Sequence, residues 1–253
     1  MQAYSEGFAR LYNIKWSRFA SQVAPLILDF YAATPIGQQS KSVLDVCCGT
    51  GQLALHFLEK GYRVVGLDLS GHMLTCAKEN ARLYIEAGQA EFVQADATNF
   101  KLQERFGLVV STFDAINHLE DEQCLKKCLQ CVHAVNDGYF IFDLNTRSGL
   151  RRWNGIEVDD SSDNALIITR GIFDGQGERA VTRITGFVQR ADASYERIDE
   201  TVFNTVFEME MVKDALLAAG WKKVYFARME DLKTPLTLAE AEKQGRVFVV
   251  ASR

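Results

Sequence analysis

Residues 1–150 contain five short apolar runs at regular intervals, and this regularity limits the folds open to the chain. Helix-like stretches of roughly 15 residues separate the runs. Runs that are apolar on both faces suit parallel strands covered by helices on either side. The spacing predicts a doubly wound α/β sheet that binds its ligand at the carboxyl ends of the strands. The runs are VLDVCC (43–48), RVVGLDL (63–69), EFVQA (91–95), GLVVST (107–112) and GYFIFDL (138–144).

The pattern changes in the second half of the chain. Between residues 165 and 207, β-rich segments alternate with the tight polar connections DGQGE and ADAS, which predicts an inserted antiparallel ribbon of about three strands. A helix over EMEMVKDALLAAGW and two strands, KKVYFA and RVFVVAS, then return to the core. We therefore predict a single domain (1–253) with an N-terminal helical lid (1–35) and a β-rich substrate-binding insert (155–207).

Charge and hydropathy narrow the classes of partner. The formal net charge of −5 argues against a broad basic surface for a nucleic-acid backbone. The chain has no apolar run of about 18 residues, and its N-terminus lacks the basic-then-apolar order of a signal peptide. We expect a cytoplasmic protein with a small-molecule substrate and neither a nucleic-acid nor a membrane partner. Whether it forms a homodimer stays open.

A glycine-rich turn follows the first run, in LDVCCGTGQLA. Gly49 and Gly51 let the backbone turn sharply and approach a ligand, and a helix starting nearby would direct free N–H groups at it. The same turn fits the loose dinucleotide fingerprint, with Asp68 at the distance of a ribose-binding acid. Asp45, however, would repel a pyrophosphate and could hold an ammonium. The turn therefore favours an adenosine ligand that carries the α-amino group of methionine.

Taken in order, VLDVCCGTG, VVGLDLS, FVQADATNF and LVVSTFDAINHL resemble the class I S-adenosylmethionine (SAM)-dependent methyltransferases. The resemblance implies SAM as cofactor and a seven-stranded, mostly parallel sheet whose last strand is antiparallel. It implies that Asp45 and the turn cradle the methionine end, that Asp68 binds the ribose, and that Asp96 contacts the adenine amino group, with Leu69 packed on the ring. The implied cofactor-binding residues are Asp45, Cys47, Gly49, Thr50, Gly51, Asp68, Leu69, Met73, Asp96, Ala97 and Thr112.

A closer similarity is to the amino-sugar and related small-molecule N-methyltransferases. It rests on FARLY near the N-terminus, a histidine after the fourth strand, and the β-rich insert. It implies that Tyr12 and His118 face the transferred methyl group and the nucleophile, as orienting groups or proton acceptors. Asn117 would also lie above the cofactor's sulfur.

Two further residue sets have alternative interpretations. The helical stripe of aromatic residues near the N-terminus forms either a lid over the cofactor or simple core packing. The insert's arginines bind a carboxylate or phosphate of the substrate, or lie on a solvated strand face. The stripe is Tyr4, Phe8, Tyr12 and Trp16, and the arginines are Arg170, Arg183 and Arg197.

The segment CLKKCLQC has a spacing similar to the iron–sulfur signature of radical SAM enzymes. Cys124, Cys128 and Cys131 lie at i, i+4 and i+7, within a sector of about 60° on a helix. Lys126 and Lys127 occupy the opposite side, so the pattern predicts an amphipathic helix that packs on the sheet rather than a cluster site. Methyl transfer from a sulfonium requires no metal, and we expect none.

These observations predict an enzyme that methylates a small molecule, with an amine as the expected acceptor. The sequence leaves the acceptor atom open among nitrogen, oxygen and carbon. Two other hypotheses compete: an NAD-dependent oxidoreductase using the same glycine turn, and a non-catalytic methyltransferase-like protein. The first lacks an evident hydride-transfer apparatus, and the second is disfavoured because the acids of the cofactor pattern are intact.

Overall fold

Two β-sheets organise the computed structural model, which describes residues 4–162, 164–190 and 192–253. The larger sheet has eight strands in the order β11-β10-β12-β5-β4-β1-β2-β3, and the smaller has four in the order β6-β7-β8-β9. In chain order the strands are β1 (Ser42–Val46), β2 (Arg63–Asp68), β3 (Ala90–Gln94), β4 (Phe106–Ser111), β5 (Asn136–Asn145), β6 (Gly155–Ser162), β7 (Ala165–Ile172), β8 (Arg179–Gln189), β9 (Tyr195–Thr205), β10 (Lys223–Arg228), β11 (Asp231–Leu236) and β12 (Arg246–Ser252).

The large sheet confirms the predicted α/β class. Strands β1 to β5 are parallel, and β12 runs antiparallel between β5 and β10. The predicted count of seven strands is wrong, because β11 pairs with β10 and adds an eighth at the edge. This strand contains Pro235, which removes a backbone donor and is tolerated at a sheet edge.

The insert is a four-stranded antiparallel sheet: β7, β8 and β9 confirm the three strands predicted between residues 165 and 207, and β6 adds a fourth before them. The additional strand is β6, which pairs with β7 along most of its length. Its sequence, GIEVDDSS, carries acids and serines and therefore lacks the apolar character that identified the other strands.

Helices cover both faces of the large sheet. Side-chain caps start several of them: Ser5 caps α1, Ser70 caps α5, and Asp121 caps α7. No helix among the described residues is long and apolar enough to cross a membrane. The helices are α1 (Glu6–Lys15), α2 (Ser17–Ala32), α3 (Pro35–Gln39), α4 (Gln52–Glu59), α5 (Gly71–Asn80), α6 (Arg82–Glu86), α7 (Glu122–Val135), α8 (Arg147–Arg151), α9 (Met209–Ala218) and α10 (Leu238–Ala241).

The segment CLKKCLQC lies on α7, which confirms the predicted helix. Cys128 is fully buried among apolar residues, and Cys124 and Cys131 are partly buried against the same cluster. Burial raises the pKa of the Cys128 thiol, which keeps it neutral. Within the described ranges, no group of three or more His, Cys, Asp or Glu residues is placed to hold a metal ion.

The chain connects β3 to β4 across the sheet, so β1 and β4 are neighbours whose helical connections lead in opposite directions. Such a reversal opens a crevice at the carboxyl ends of the two strands, where doubly wound folds bind ligands. Helix α1 contacts α5 and the insert strands β8 and β9, so it lies over this crevice. The fold therefore brings the glycine turn, α1 and the insert to one end of the large sheet.

Candidate active site

A cavity of about 710 Å³ lies between the carboxyl ends of β1, β2 and β4, helix α1, and the inner face of the insert. Its volume is within the range of small-molecule sites. Among the predicted residues it is lined by Tyr12, Cys47, Gly49, Asp68, Leu69, Met73, Ala97, Thr112 and His118. A smaller adjoining pocket contains Asp45 and Thr50 and shares Tyr12, Cys47, Gly49 and Thr112 with the large one. Nine of the predicted catalytic and cofactor-binding residues thus meet at one cavity, and two more lie directly beside it.

The glycine turn adopts the left-handed conformations that its glycines permit. Gly49 has φ 54° and Gly51 has φ 75°. A Cβ added at Gly49 would meet only the ring of Tyr12, at 3.8 Å, so the backbone there opens toward the cavity. A Cβ at Gly51 would lie 3.1 Å from that of Ala77, so this glycine permits close packing of α4 on α5. The first glycine therefore exposes backbone to a ligand, and the second fixes the helix behind it.

Asp68 joins the glycine turn to the start of α5. Its Oδ2 accepts a hydrogen bond from the Gly49 N–H (2.9 Å), and its Oδ1 accepts one from the Ser70 N–H (2.8 Å). Burial raises the pKa of this carboxyl, while the two backbone donors act in the opposite direction. Because a carboxylate has about four acceptor positions, Asp68 can still accept bonds from ligand hydroxyl groups at the cavity wall.

Asp45 and Thr50 are buried polar residues with atoms that lack partners. Asp45 is 2% exposed, and its Oδ2 has no hydrogen-bond partner in the described part of the chain. The same is true of the Thr50 hydroxyl. Burial, followed by repulsion from Asp68, raises the pKa of Asp45 to about 8. Unpartnered buried oxygens are costly, so this donor and acceptor set fits a cationic, hydrogen-bonding ligand such as the amino-acid end of SAM.

Of the other residues predicted to bind the cofactor, Met73 and Leu69 line the cavity and Asp96 does not. Asp96 lies outside the cavity lining, and its Oδ1 accepts bonds from the backbone and hydroxyl of Thr98, both at 2.8 Å. It closes the turn after β3, a common role for an aspartate at such a position. Met73 lines the cavity and also packs into the apolar cluster beneath α1, whereas Leu69 lines the cavity at the end of β2.

His118 ends a short 3₁₀ helix, Ala115–His118, and faces the cavity. Its Nδ1 lies 2.8 Å from the carbonyl oxygen of Phe203 in the insert. Since a carbonyl only accepts, Nδ1 carries the proton, and Nε2 of the neutral ring is an acceptor. Nε2 is 3.5 Å from the Tyr4 hydroxyl and 3.9 Å from Asp114 Oδ2. The geometry suits His118 to accept a proton inside the cavity.

The predicted aromatic stripe lies along α1 over the cavity. Tyr4, Phe8, Tyr12 and Trp16 all line it, and successive rings lie in contact along the helix. The stripe therefore packs against a buried apolar cluster and forms one wall of the cavity. Burial raises the pKa of Tyr12, and the neighbouring carboxylates act in the same direction. The Tyr12 phenol thus stays protonated at neutral pH, which suits it to donate a hydrogen bond rather than to accept a proton.

Asn117 differs from the expectation that it lies above the cofactor. It is fully buried and does not line the cavity. Its amide donates to the carbonyls of Asn145 and Thr205, and its Oδ1 accepts from the Asn145 N–H. All of these partners belong to β5 and β9, so Asn117 connects the 3₁₀ helix to both sheets rather than meeting a ligand.

The insert's predicted arginines also lie away from the site. Arg183 and Arg197 pair with Asp199 on an exposed face, at 3.6 Å and 2.8 Å. Arg170 lies opposite Arg183 in the strand register and does not line the cavity. The solvated-face interpretation therefore applies to all three. The arginines that do line the cavity are Arg152, Arg179 and Arg246.

An ion-pair cluster of Asp114, Asp143 and Arg246 lies beside His118 and was not predicted from the sequence. Phe113 and Asp114 have φ of 66° and 50°, an uncommon conformation for such residues. Their N–H groups donate to Asp143 of β5, at 2.6 and 2.9 Å. Arg246 of β12 binds both carboxylates, with 2.7 Å to Asp114. The available signal was Asp143 itself, since an acid inside the apolar run FIFDL requires a buried partner.

Comparisons with known proteins agree with this geometry. Residues 43–138 match the family model of a methyltransferase domain. A provisionally named methyltransferase of Geobacillus sp. (strain WCH70) is 29% identical over 221 residues, which cover 85% of this chain and 86% of that protein. A dTDP-3-amino-3,6-dideoxy-alpha-D-glucopyranose N,N-dimethyltransferase of Streptomyces fradiae is 26% identical over 229 residues, or 86% and 84% of the two chains.

Solved structures share the fold over nearly the whole length. A SAM-dependent methyltransferase of Clostridium acetobutylicum ATCC 824 has a TM-score of 0.79 at 20% identity and covers 97% of each chain. DesVI of Streptomyces venezuelae has a TM-score of 0.77 at 19% identity and covers 99% of each chain. The sheet order, with the glycine turn after β1, defines the class I methyltransferase fold. The chain has this fold, and its similarities support a SAM-dependent methyltransferase with SAM as its cofactor. This agrees with the predicted reaction type and cofactor rather than with an NAD-dependent oxidoreductase or a non-catalytic protein.

Proposed function

We propose that the enzyme methylates an amine of a small molecule bound between the glycine turn and the insert. The observation that carries this proposal is the cavity that joins the turn to the inner face of the insert, with the acceptor Nε2 of His118 on its wall. Because α1 and the insert cover the cavity, the site favours a small acceptor over a polymer. The net charge of −5 supports the same choice against nucleic acid.

The cofactor would be held by residues at the turn end of the cavity. The unpartnered oxygens of Asp45 and Thr50 suit the amino-acid end, and Asp68 suits the ribose hydroxyl groups. Leu69, Met73 and Ala97 offer apolar contacts for the adenine. Bound SAM supplies an electrophilic methyl group for an in-line displacement.

The chain's own residues would orient the acceptor and manage its proton. An amine attacks only when its lone pair is free, so an acceptor bound as the ammonium must first lose a proton. Nε2 of His118 accepts that proton, while the Nδ1 bond to Phe203 fixes the ring. The protonated Tyr12 phenol orients the reactants by donating a hydrogen bond, and the other aromatic residues of α1 exclude water.

Helix α1 is the part of the N-terminal segment to which we assign the lid role. Arg10 donates to Glu196 (2.8 Å), and Lys15 donates to Asp159 (3.3 Å), so polar contacts join α1 to the insert. Helix α2, in contrast, packs in the core of the large sheet. We assign the acceptor-binding role to the insert, because its inner face forms the cavity wall opposite the glycine turn.

Relatives support nitrogen as the acceptor atom. The Streptomyces fradiae relative is named as an N,N-dimethyltransferase of an amino sugar, as is one of Streptomyces venezuelae that is 35% identical over 101 residues. A glycine/sarcosine N-methyltransferase of Aphanothece halophytica is 29% identical over 144 residues. Amino sugars and small amino acids are therefore the first acceptors to test.

The test is a screen for S-adenosylhomocysteine release with matched amines and alcohols. We expect turnover with amines and none with the corresponding alcohols. His118→Ala should lower kcat at least about tenfold while S-adenosylhomocysteine affinity stays within about threefold, because the group acts mainly in the transition state. Tyr12→Phe should likewise lower kcat with little change in affinity. Turnover of alcohols alone, or full activity of His118→Ala, would contradict the proposal.

A further inference from the structure

Glu200 of β9 is a buried carboxylate that faces the cavity. It is 7% exposed, and its Oε2 accepts a hydrogen bond from the Ser5 hydroxyl at 2.9 Å. Its Oε1 accepts no hydrogen bond in the described ranges, and no Lys, Arg or His there lies within ion-pair distance of Glu200. One oxygen of a buried acid is therefore available to a ligand.

The other buried carboxylates at the cavity have partners. Asp114 pairs with Arg246, and Asp68 accepts two backbone N–H groups. Of the arginines that line the wall, Arg246 thus pairs with Asp114, and Arg179 donates to the carbonyl oxygen of Glu120. A buried carboxylate without a cation carries a desolvation cost that a positively charged ligand would offset. Glu200 is thus suited to a cation that enters the cavity.

The surroundings of Glu200 suit an ammonium group. Tyr4 and Phe8, on either side of its partner Ser5, have ring centroids 4.7 Å apart and line the same cavity. Aromatic faces attract alkylammonium groups. In the strand register Glu200 lies opposite Ile184, which faces the cavity as well, so an apolar spacer between two polar groups of a ligand would also be accommodated.

Glu200 is separated from the proton acceptor. Phe203, whose carbonyl holds His118, is three residues further along β9. At about 3.3 Å per residue, the two positions are about 10 Å apart along the strand. This backbone spacing leaves room for a cation at Glu200 that is a second group of the acceptor, in addition to the amine near His118.

We propose that Glu200 forms a subsite for a second, positively charged group of the acceptor, so that the preferred substrates carry two amines. This inference rests on the proposed function, because it takes the cavity as the acceptor site. It assigns the insert a specific part in selectivity: one amine is methylated near His118 while a protonated amine is held at Glu200.

The test compares three ligands with one carbon skeleton: hexamethylenediamine, n-hexylamine and hexanolamine. Each is titrated by calorimetry into protein saturated with S-adenosylhomocysteine, so no turnover is needed. We expect the diamine to bind about tenfold more tightly than either single amine, and Glu200→Gln to abolish that preference. Asp199→Asn is the matched control, because the adjacent Asp199 pairs with Arg183 and Arg197 outside the cavity.

The outcomes separate this inference from the proposed function. Equal affinities of the three ligands in the wild type, or an unchanged preference in Glu200→Gln, would overturn the subsite even if amines are methylated. A preference lost in Glu200→Gln would support the subsite even if no methylated amine is found. Retained S-adenosylhomocysteine affinity shows that the variant folds. Should Glu200→Gln not fold, Glu200→Asp keeps the charge on a shorter side chain and should keep the preference for diamines; its loss there would overturn the subsite.

Discussion

Replacing Arg246 by methionine tests the ion-pair cluster that positions His118. The side chains of Asp143, Asp114 and Arg246 are 0%, 9% and 22% exposed, so Arg246→Met leaves two carboxylates in the interior without their cation. Removing one partner of a buried pair costs about 3 to 5 kcal/mol of unfolding free energy. The partial exposure of Arg246 favours the lower end, so we expect a loss of about 3 kcal/mol.

The unfolding free energy lost in Arg246→Met should depend on pH. Burial raises the pKa of Asp143 even though Arg246 acts to lower it. A raised folded-state pKa means that this carboxyl favours folding at low pH and that its contribution is lost as the pH rises through the folded pKa. Without Arg246 the pKa of Asp143 rises further, because protonation removes the need for a cation. The stability difference between wild type and Arg246→Met should therefore be largest at neutral to alkaline pH and shrink as the pH falls.

Urea unfolding at several pH values measures this difference. Arg82→Met is the matched control, because Arg82 forms an exposed i,i+4 pair with Glu86 that should contribute less than about 0.5 kcal/mol. Arg246→Met should also lower kcat, since Phe113 and Asp114 lose the cation that helps hold the 3₁₀ helix of His118. A loss below about 1 kcal/mol, or one independent of pH, would refute the role of the cluster.

Three further predictions concern the cofactor site and α7. Asp45 has a pKa of about 8, so it is mostly protonated at neutral pH; binding of the SAM ammonium should release a proton, and affinity should rise from about pH 6 to pH 8. Calorimetry in buffers of different ionisation enthalpy measures the proton, and a pH-independent affinity would contradict the assignment. Asp68→Ala should weaken S-adenosylhomocysteine binding by more than about 1.5 kcal/mol, because ribose bonds are lost and the glycine turn is released; unchanged affinity in the same calorimetry would remove Asp68 from the site. Cys128→Ser should lower the unfolding free energy by about 1 to 3 kcal/mol, because a hydroxyl replaces a fully buried thiol; denaturant unfolding without such a loss would show that α7 does not bury this face.

The sequence predicted the parts of the site that come from single strand ends. Asp45, Gly49 and Asp68 lie at or directly after β1 and β2, where the rhythm of apolar runs locates the carboxyl ends. The sequence shows this rhythm because each strand and the helix that follows it are formed by consecutive residues. The strands β6 and β11 were missed because GIEVDDSS is polar and DLKTPL contains proline, so tertiary pairing rather than local pattern forms them.

Contacts between distant parts of the chain were beyond sequence reasoning. Arg246 meets Asp114 across 132 residues, and no local spacing relates the two. The sequence did not indicate a role for Glu200, because an acidic residue in a strand with exposed neighbours is expected to be solvent-exposed. Only the packing of α1 on β9 buries its side chain. Asn117 was assigned to the cofactor because it precedes His118, but its amide is used by the backbone of both sheets.

Mass spectrometry of the acceptor after reaction with methyl-labelled SAM tests the central claim most directly. Purified enzyme is given a mixture of amino sugars, small amino acids, diamines, the matched alcohols and ribosomal RNA fragments, and every product that gains the label is identified. We predict that the label appears on the nitrogen of a small amine, together with an equal amount of S-adenosylhomocysteine, and that His118→Ala lowers both. Label on RNA or on hydroxyl oxygen, with none on an amine, would contradict the account.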